Sequence, residues 1–348
     1  MARNIAHMHM SFDSTSSVFA PCTDGVRLGL GGAALGNLFE AISDAQAHAL
    51  VAAAWQDGCR SFDTAPHYGH GLSERRLGDA LRPLPRASLR LSSKVGRLLT
   101  PSRQAPADQQ GYVQTLPFVQ HWDYAASGVR RSVEDSLQRL GLAQLDAVFV
   151  HDMDAHTHGA QAEKVLRQVL DETLPALAQL QQEGLIAHVG LGVNDHEVVE
   201  QVLRHADLDA LLLAGRYTLL DNVAGAQLLP LLQHKKVALS LGGVFNSGIL
   251  AKRIDTGQPL RFNYQAAPAH WVDKALQIQK VCDAWQVPIQ AAALQFALAH
   301  PATQLVWLGA QHANEWHAAR QAQQHPVQPE FWQDLKHQGL LPEGLPTP

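Results

Sequence analysis

The chain has 348 residues, 46% of them apolar and 17% charged, and a formal net charge of −5. That balance supports a sizeable core, excludes global disorder, and argues against a general nucleic-acid or anionic-membrane surface. Three cysteines far apart in sequence, Cys22, Cys59 and Cys282, form neither a disulfide framework nor a CxxC zinc site and fit a reducing compartment.

Residues 1–17 are polar and lack the apolar stretch of a signal peptide, so a flexible lead-in is expected there. No apolar run approaches the roughly 20 residues of a membrane helix, the longest being around Leu208–Ala214. The expected setting is the cytoplasm, without membrane or nucleic-acid partners. The pattern specifies no oligomeric state.

Beyond the lead-in, short apolar runs alternate with segments of helical periodicity. The runs are Arg27–Leu30, Arg60–Phe62, Leu89–Ser93, Leu145–Val150, Ala187–Leu191, Ala210–Leu213, Val237–Leu241 and Gln304–Leu308. The helical segments are Ala45–Gln56, Glu74–Leu81, Val129–Leu140, Glu163–Glu183, His196–His205, Ala224–Gln233 and Val272–Trp285. One more follows Pro288, and another spans Asn314 to about Gln323. Nearly unbroken apolar strands suit a parallel sheet buried on both faces. Eight alternating units predict an α/β fold, a single closed (β/α)8 TIM barrel over residues 18–325 with a tail at 326–348. The open doubly wound sheet is disfavoured because Leu28-Gly-Leu-Gly-Gly-Ala33 lacks the glycine spacing of a dinucleotide turn. Gly96–Ser127, with three prolines, reads as a long loop over the barrel mouth.

Polar residues end three of these strands: Asp63, Lys94 and His151. Tyr68 follows five residues after Asp63. Singly, Asp63 reads as a helix cap, Lys94 as a solvated charge and His151 as a core histidine. Together they would converge at the C-terminal mouth of a barrel, where such folds build their sites. An ordinary tyrosine titrates near 10. Bringing the phenol towards neutrality takes ~3–4 kcal/mol of differential interaction, about what one poorly solvated ammonium supplies. An aspartate would hold that ammonium, and a histidine would orient the reacting oxygen. Such a set protonates a carbonyl oxygen, or deprotonates a hydroxyl, while a hydride moves.

These residues resemble the aldo-keto reductases, (β/α)8 oxidoreductases that use a nicotinamide cofactor without a Rossmann domain. The likeness lies in Phe62-Asp-Thr-Ala-Pro-His-Tyr-Gly69, Ser92-Ser-Lys-Val95 and Val148-Phe-Val-His151. Leu72-Ser-Glu-Arg-Arg-Leu-Gly78 and Arg131-Ser-Val-Glu-Asp-Ser-Leu-Gln-Arg-Leu-Gly141 add to it, and it runs from about residue 24 to 320. The resemblance implies a catalytic tetrad of Asp63, Tyr68, Lys94 and His151. Gly190-Leu-Gly-Val-Asn194, Gly215-Arg-Tyr-Thr-Leu-Leu220, Gly242-Gly-Val-Phe-Asn-Ser-Gly248 and the stretch His151–Gly159 are most similar to the aldose (L-fucose) and pyridoxal dehydrogenase branch. That branch implies oxidation of the anomeric carbon of a D-threo-aldose to a lactone, with Tyr68 taking the hydroxyl proton. Pyridoxal, which cyclises to a hemiacetal, and general aldehyde or ketone reduction are the alternatives.

For the cofactor, Asn194 is a candidate for the carboxamide, or else a helix cap. Tyr217 is a candidate for packing on the nicotinamide, or else a core tyrosine. Ser240, Gly242, Gly243, Asn246 and Gly248 follow as groove and pyrophosphate candidates, and Gly309 and Gln311 as contacts leading into a helix. Trp122 and Phe245 are candidate substrate walls. The chain departs from the family pattern at Ala214, where many members carry glutamine, and at Leu239, where many carry an aromatic. It also has Gln311 where a basic residue often grips the 2′-phosphate of NADP. The neutral amide favours NAD, with NADP the alternative should Arg320 reach the phosphate.

Two rival classes remain. The run His151-Asp-Met-Asp-Ala-His-Thr-His158 suggests a metallohydrolase, but its histidines lie in one loop and no other strand ends in histidine, so no metal is expected. His7-Met-His9 lies in the lead-in. A non-catalytic cofactor sensor is disfavoured because all four tetrad positions are kept.

Overall fold

The computed structural model describes residues 18–20 and 23–348. The lead-in, His7, His9 and Cys22 lie outside the described residues. Eight parallel strands close on themselves: β1 (Leu28–Gly31), β2 (Ser61–Asp63), β3 (Arg90–Pro101), β4 (Leu145–His151), β5 (Ile186–Val193), β6 (Ala210–Ala214), β7 (Ala238–Gly242) and β8 (Thr303–Gly309). Each pairs with its sequence neighbours, and β8 returns to β1, with Leu28 opposite Val306 and Gly31 opposite Gly309. All eight strands fall on the expected apolar runs, most extended by one or two residues at their C-terminal ends.

The helices of eight or more residues are α1 (Asp44–Gln56), α2 (Leu72–Leu81), α3 (Ala126–Leu140), α4 (Leu174–Gln182), α5 (His196–Leu203), α6 (Leu228–Lys235), α7 (Ala269–Ala284), α8 (Ile289–Ala299), α9 (Ala313–Gln324) and α10 (Pro329–His337). Their apolar faces and the outward strand residues form the main core. A second cluster fills the barrel interior with Phe19, Ala147, Phe149, Leu212, Leu305 and Trp307. Phe19 meets Trp307 edge-on at 5.9 Å, and the Ala20 amide donates to Ser61 Oγ at 2.9 Å, so residues 18–20 close the barrel floor.

Three differences from the sequence reading have local causes. The segment Gly96–Ser127 is no simple loop. β3 runs on to Pro101 and folds back as an antiparallel strand, Phe118–Asp123, with Arg97 opposite Trp122. Only the turn between them behaves as expected, sending Gln110, Gly111 and Tyr112 to the mouth. The single helix expected over Glu163–Glu183 is broken into Ala162–Gln168, a wide turn at Val169–Thr173, and α4. Pro175 has no N–H to continue the ladder, which loosens the turn before it. Finally, the tail contains α10, which packs on α7 and buries Phe331, Trp332 and Leu335.

Candidate active site

Strand alternation determines what faces the barrel axis. In β3, Leu91 and Val95 point out to the helices, so Ser92 and Lys94 point in. Ser93 also faces out, donating to the fully buried Glu74 at 2.8 Å. Lys94 packs on Gly192 of β5, where a Cβ would come 3.2 Å from Phe149 Cβ and 3.6 Å from Lys94 Cε, the latter an ordinary contact. Lys94 Nζ donates to Asp63 Oδ2 at 2.5 Å and to the Thr64 carbonyl at 2.9 Å, while Ser92 Oγ donates to Asp63 Oδ1 at 2.6 Å. Burial pushes the Asp63 carboxyl up, and the Lys94 ammonium and Ser92 hydroxyl pull it back.

Tyr68 sits on the loop after β2, above this ion pair. Its ring centroid is 4.8 Å from Lys94 Nζ and 6.2 Å from the His151 ring, which it meets edge-on at 84°. Gly36 lets the loop after β1 lie against it, since a Cβ there would come within 2.7 Å of the Tyr68 carbonyl. The four expected residues thus meet at one place. The field at the phenol is the reverse of the expectation. Enclosure raises Tyr68 well above its ordinary value, and the Asp63 carboxylate adds to the rise. The Lys94 ammonium over the ring does not overcome this rise, since its charge is shared with Asp63.

His151 ends β4 with 7% of its surface exposed. Burial, then the Arg97 and Lys94 cations, hold it well below its ordinary value, so the ring is neutral. Arg97 Nη1 lies 2.7 Å from His151 Nδ1, and Arg97 Nη2 donates to Asp152 Oδ2 at 2.7 Å. Asp152 also accepts from Asn194 Nδ2 at 3.4 Å, and it adopts a left-handed φ of 45° that a non-glycine residue rarely takes. Sequence reasoning missed both Arg97 and Asp152. The available signal was that charged residues follow Lys94 and His151 just beyond their strand ends.

Tyr68 forms the junction of two spaces. One is a cavity of about 430 Å³ lined by the tetrad's Tyr68, Lys94 and His151 together with His67, Tyr112, Asp152, Asn194, Asn263 and Tyr264. His67 is held down to about 3 by burial and the Arg97 charge. The other is a groove of about 390 Å³ running from Asp63 and Tyr68 past Gly242, Gly243, Phe245 and Gly248 to Gly309, Gln311 and Glu315.

Several expected contacts lie elsewhere. Tyr217 is buried in the core, stacked on Phe296 at 5.0 Å, because its strand end turns inward under α8. Ser240 donates to the Leu211 carbonyl inside the sheet and faces neither space. Asn246, at φ 46°, accepts from Thr218 at 2.7 Å and braces the turn after β7. Trp122 lies outside the cavity, stacked parallel to Tyr124 and 3.9 Å from the Arg97 guanidinium. Phe245 lines the groove and not the tetrad cavity. Arg320 is tied to Asp24, which removes it from the groove. Asp195, not Asn194, caps α5. Among the described residues no group of three or more His, Cys, Asp or Glu could hold a metal. His158 instead packs with the Tyr124 hydroxyl at 3.0 Å.

Glycines leave the backbone of the groove uncovered. A Cβ at Gly248 (φ 99°) or Gly309 would meet nothing within 4 Å, so these glycines leave an open cradle of backbone. The residues present fit an extended, phosphate-bearing cofactor that ends beside Tyr68.

Comparison with known proteins agrees with this geometry. The Aldo/keto reductase family matches residues 27–338. The chain is similar to pyridoxal 4-dehydrogenase of Microbacterium luteolum, 39% identical over 90% of this chain and 94% of that one. It is also similar to D-threo-aldose 1-dehydrogenase of a Pseudomonas species, 34% identical over 90% and 94%. Among solved structures, the holo form of an aldo-keto reductase from Bacillus halodurans matches with a TM-score of 0.70, covering 92% of this chain and 93% of that one at 24% identity. No helix among the described residues is long and apolar enough to cross a membrane. A closed parallel barrel, a phenol, ammonium, carboxylate and imidazole at its mouth, and a family match over nearly the whole chain lead to one conclusion: this protein belongs to the aldo/keto reductase family of oxidoreductases.

Proposed function

We propose that the chain is an NAD-dependent dehydrogenase that oxidises the anomeric carbon of a D-threo-aldose such as L-fucose to its lactone. The observation that carries this reading is the meeting of Tyr68, the Asp63–Lys94 pair and His151 where the polar cavity joins the glycine-lined groove. When bound, the nicotinamide supplies the hydride acceptor. Gly242, Gly243, Gly248 and Gly309 would hold the dinucleotide along the groove, with Asn194 at its carboxamide end and Gln311 at the far end. Lys252 and Arg253 line the adjoining cavity, and Arg253 is paired with Asp283. Glu315, whose carboxylate accepts from the Gln311 backbone N–H at 2.7 Å, would repel a 2′-phosphate there and supports NAD.

Oxidation of a cyclic aldose removes a hydride from C1 and a proton from its hydroxyl, and the new C=O closes the lactone. Tyr68, ionised beforehand, takes the proton and becomes the neutral phenol, Lys94 steadies the phenolate before the transfer, and neutral His151 hydrogen-bonds the same substrate oxygen. Polar walls at Asp152, Asn263 and Tyr112 suit a substrate with several hydroxyls. A second reading, oxidation of the pyridoxal hemiacetal, is supported by the 39% identity to a pyridoxal 4-dehydrogenase and by the aromatic sides at Tyr112 and Tyr264.

A reduction screen with NAD and NADP over L-fucose, D-arabinose, L-galactose, other aldoses and pyridoxal separates these readings. Turnover of aldoses with NAD supports the first. Pyridoxal turnover with every aldose inert reverses the order, and a folded protein inactive on all of them returns the sensor reading. Tyr68→Phe should cut kcat/KM by about 10³-fold while leaving cofactor binding, followed by fluorescence, unchanged.

A further inference from the structure

We infer that Arg97, braced by Trp122, is a positioning residue that fixes His151 as the tautomer protonated on Nε2, so that the imidazole meets the substrate oxygen as a hydrogen-bond donor. The catalytic half of this inference rests on the dehydrogenase reading; the tautomer itself does not.

A neutral imidazole carries one proton, and which nitrogen holds it is decided by the partner of the other. A guanidinium has five N–H donors and no acceptor. With Arg97 Nη1 2.7 Å from His151 Nδ1, that nitrogen must be the bare one, because a proton there would set two donors face to face. The single proton is left on Nε2. The other groups around the ring are Lys94 on β3, His67 and Tyr68 after β2, and Asp152 at the end of the same strand. Asp152 Oδ2 lies 3.5 Å from Nε2, longer than a normal hydrogen bond, while its short bond is to Arg97 at 2.7 Å. Nε2–H is therefore free for a ligand in the cavity.

Arg97 does not move easily. Its strand partner Trp122 lies flat under the guanidinium at 3.9 Å and stacks on Tyr124, ring planes 11° apart. The Tyr124 hydroxyl donates to the His151 carbonyl at 2.7 Å. Trp122, Arg97, His151 and Tyr124 thus form a closed circuit, and all but Trp122 are buried. The fork geometry of the guanidinium serves Nδ1 and Asp152 at once, which a lysine's single ammonium cannot do.

The test uses full-length protein labelled with ¹⁵N-histidine, with His151→Asn identifying the His151 signals in a long-range ¹H–¹⁵N spectrum. In wild type we expect a bare Nδ1 and a protonated Nε2 that hold across the pH range around the ordinary histidine value of about 6.5. In Arg97→Met the two tautomers should mix and the ring should protonate at a higher pH than in wild type, since one of the cations that disfavour its charge is gone while burial and Lys94 remain. kcat/KM should fall by about 10²-fold, with cofactor affinity unchanged. Arg97→Lys should recover the single tautomer only in part. Trp122→Leu, which leaves Arg97 in place without its brace, should move the same signals less. A wild-type proton on Nδ1, or a folded Arg97→Met protein with unchanged His151 signals, overturns the inference. If Arg97→Met does not fold, the wild-type tautomer and Trp122→Leu decide. Absence of all dehydrogenase activity beside the expected spectrum would remove the dehydrogenase reading and leave the tautomer assignment standing.

Discussion

Tyr68 is where residue type and environment pull apart. Its position beside a lysine and an aspartate suggests an acidic phenol, yet enclosure and the Asp63 carboxylate hold its proton on firmly. As the proton acceptor in an oxidation it must first ionise, so kcat/KM for oxidation should climb with pH through the neutral range. It should level off only above about 10, the ordinary tyrosine value. Lys94→Met removes the cation nearest the ring and should push that rise to still higher pH. A wild-type plateau already reached at neutrality would show that Tyr68 is not the titrating acceptor. The identities of all four clustered residues were legible in the sequence because each sits at a strand end or just after one, and strand ends follow from apolar runs. The charge balance among them was not legible. Whether Lys94 lowers the phenol or is spent on Asp63 depends on a 2.5 Å contact between residues 31 apart in sequence. Arg97 was missed for a related reason: its partner Trp122 became a neighbour only through an unforeseen strand pairing.

At the scale of the element, the strands were readable because burial on both faces leaves them almost wholly apolar, as in Leu145–His151. The extension of β3 was not, because beyond Val95 it leaves the barrel and its residues mix glycine, arginine and proline with leucine. Helix packing supplies constraints that propensity reverses. Gly78 lies within α2, where alanine would be favoured by ~1 kcal/mol. A Cβ there would come 2.6 Å from the Leu140 carbonyl at the end of α3, a backbone atom that cannot swing away. Overpacking of this kind costs about 1–3 kcal/mol, which equals or exceeds the propensity gain. Gly78→Ala should therefore lower the urea midpoint by an amount corresponding to about 1 kcal/mol. A higher midpoint would show that α2 can slide on α3.

For the whole molecule, a single barrel was legible from the count of alternating units. The fate of the last 23 residues was not, because nothing in their composition says which surface they cover. They cover neither the cavity nor the groove: Phe331, Trp332 and Leu335 of α10 are buried against the barrel wall beside α7. Trp285 adds a bond from its indole N–H to Asp334 at 3.0 Å. Burying a phenylalanine or tryptophan stabilises by about 3–5 kcal/mol on truncation scales, against a total stability of about 5–15 kcal/mol. Deleting 326–348 removes two such side chains and bares the apolar surface beneath them, so the truncated chain should aggregate or melt far below the full one. Trp332→Ala should lower Tm while leaving KM for both substrates unaltered, since no residue of α10 faces the cavity or the groove. A truncated chain with the full-length Tm would mean that the barrel closes without α10. A shifted KM in Trp332→Ala would mean that the wall beside α7 is mechanically tied to the mouth.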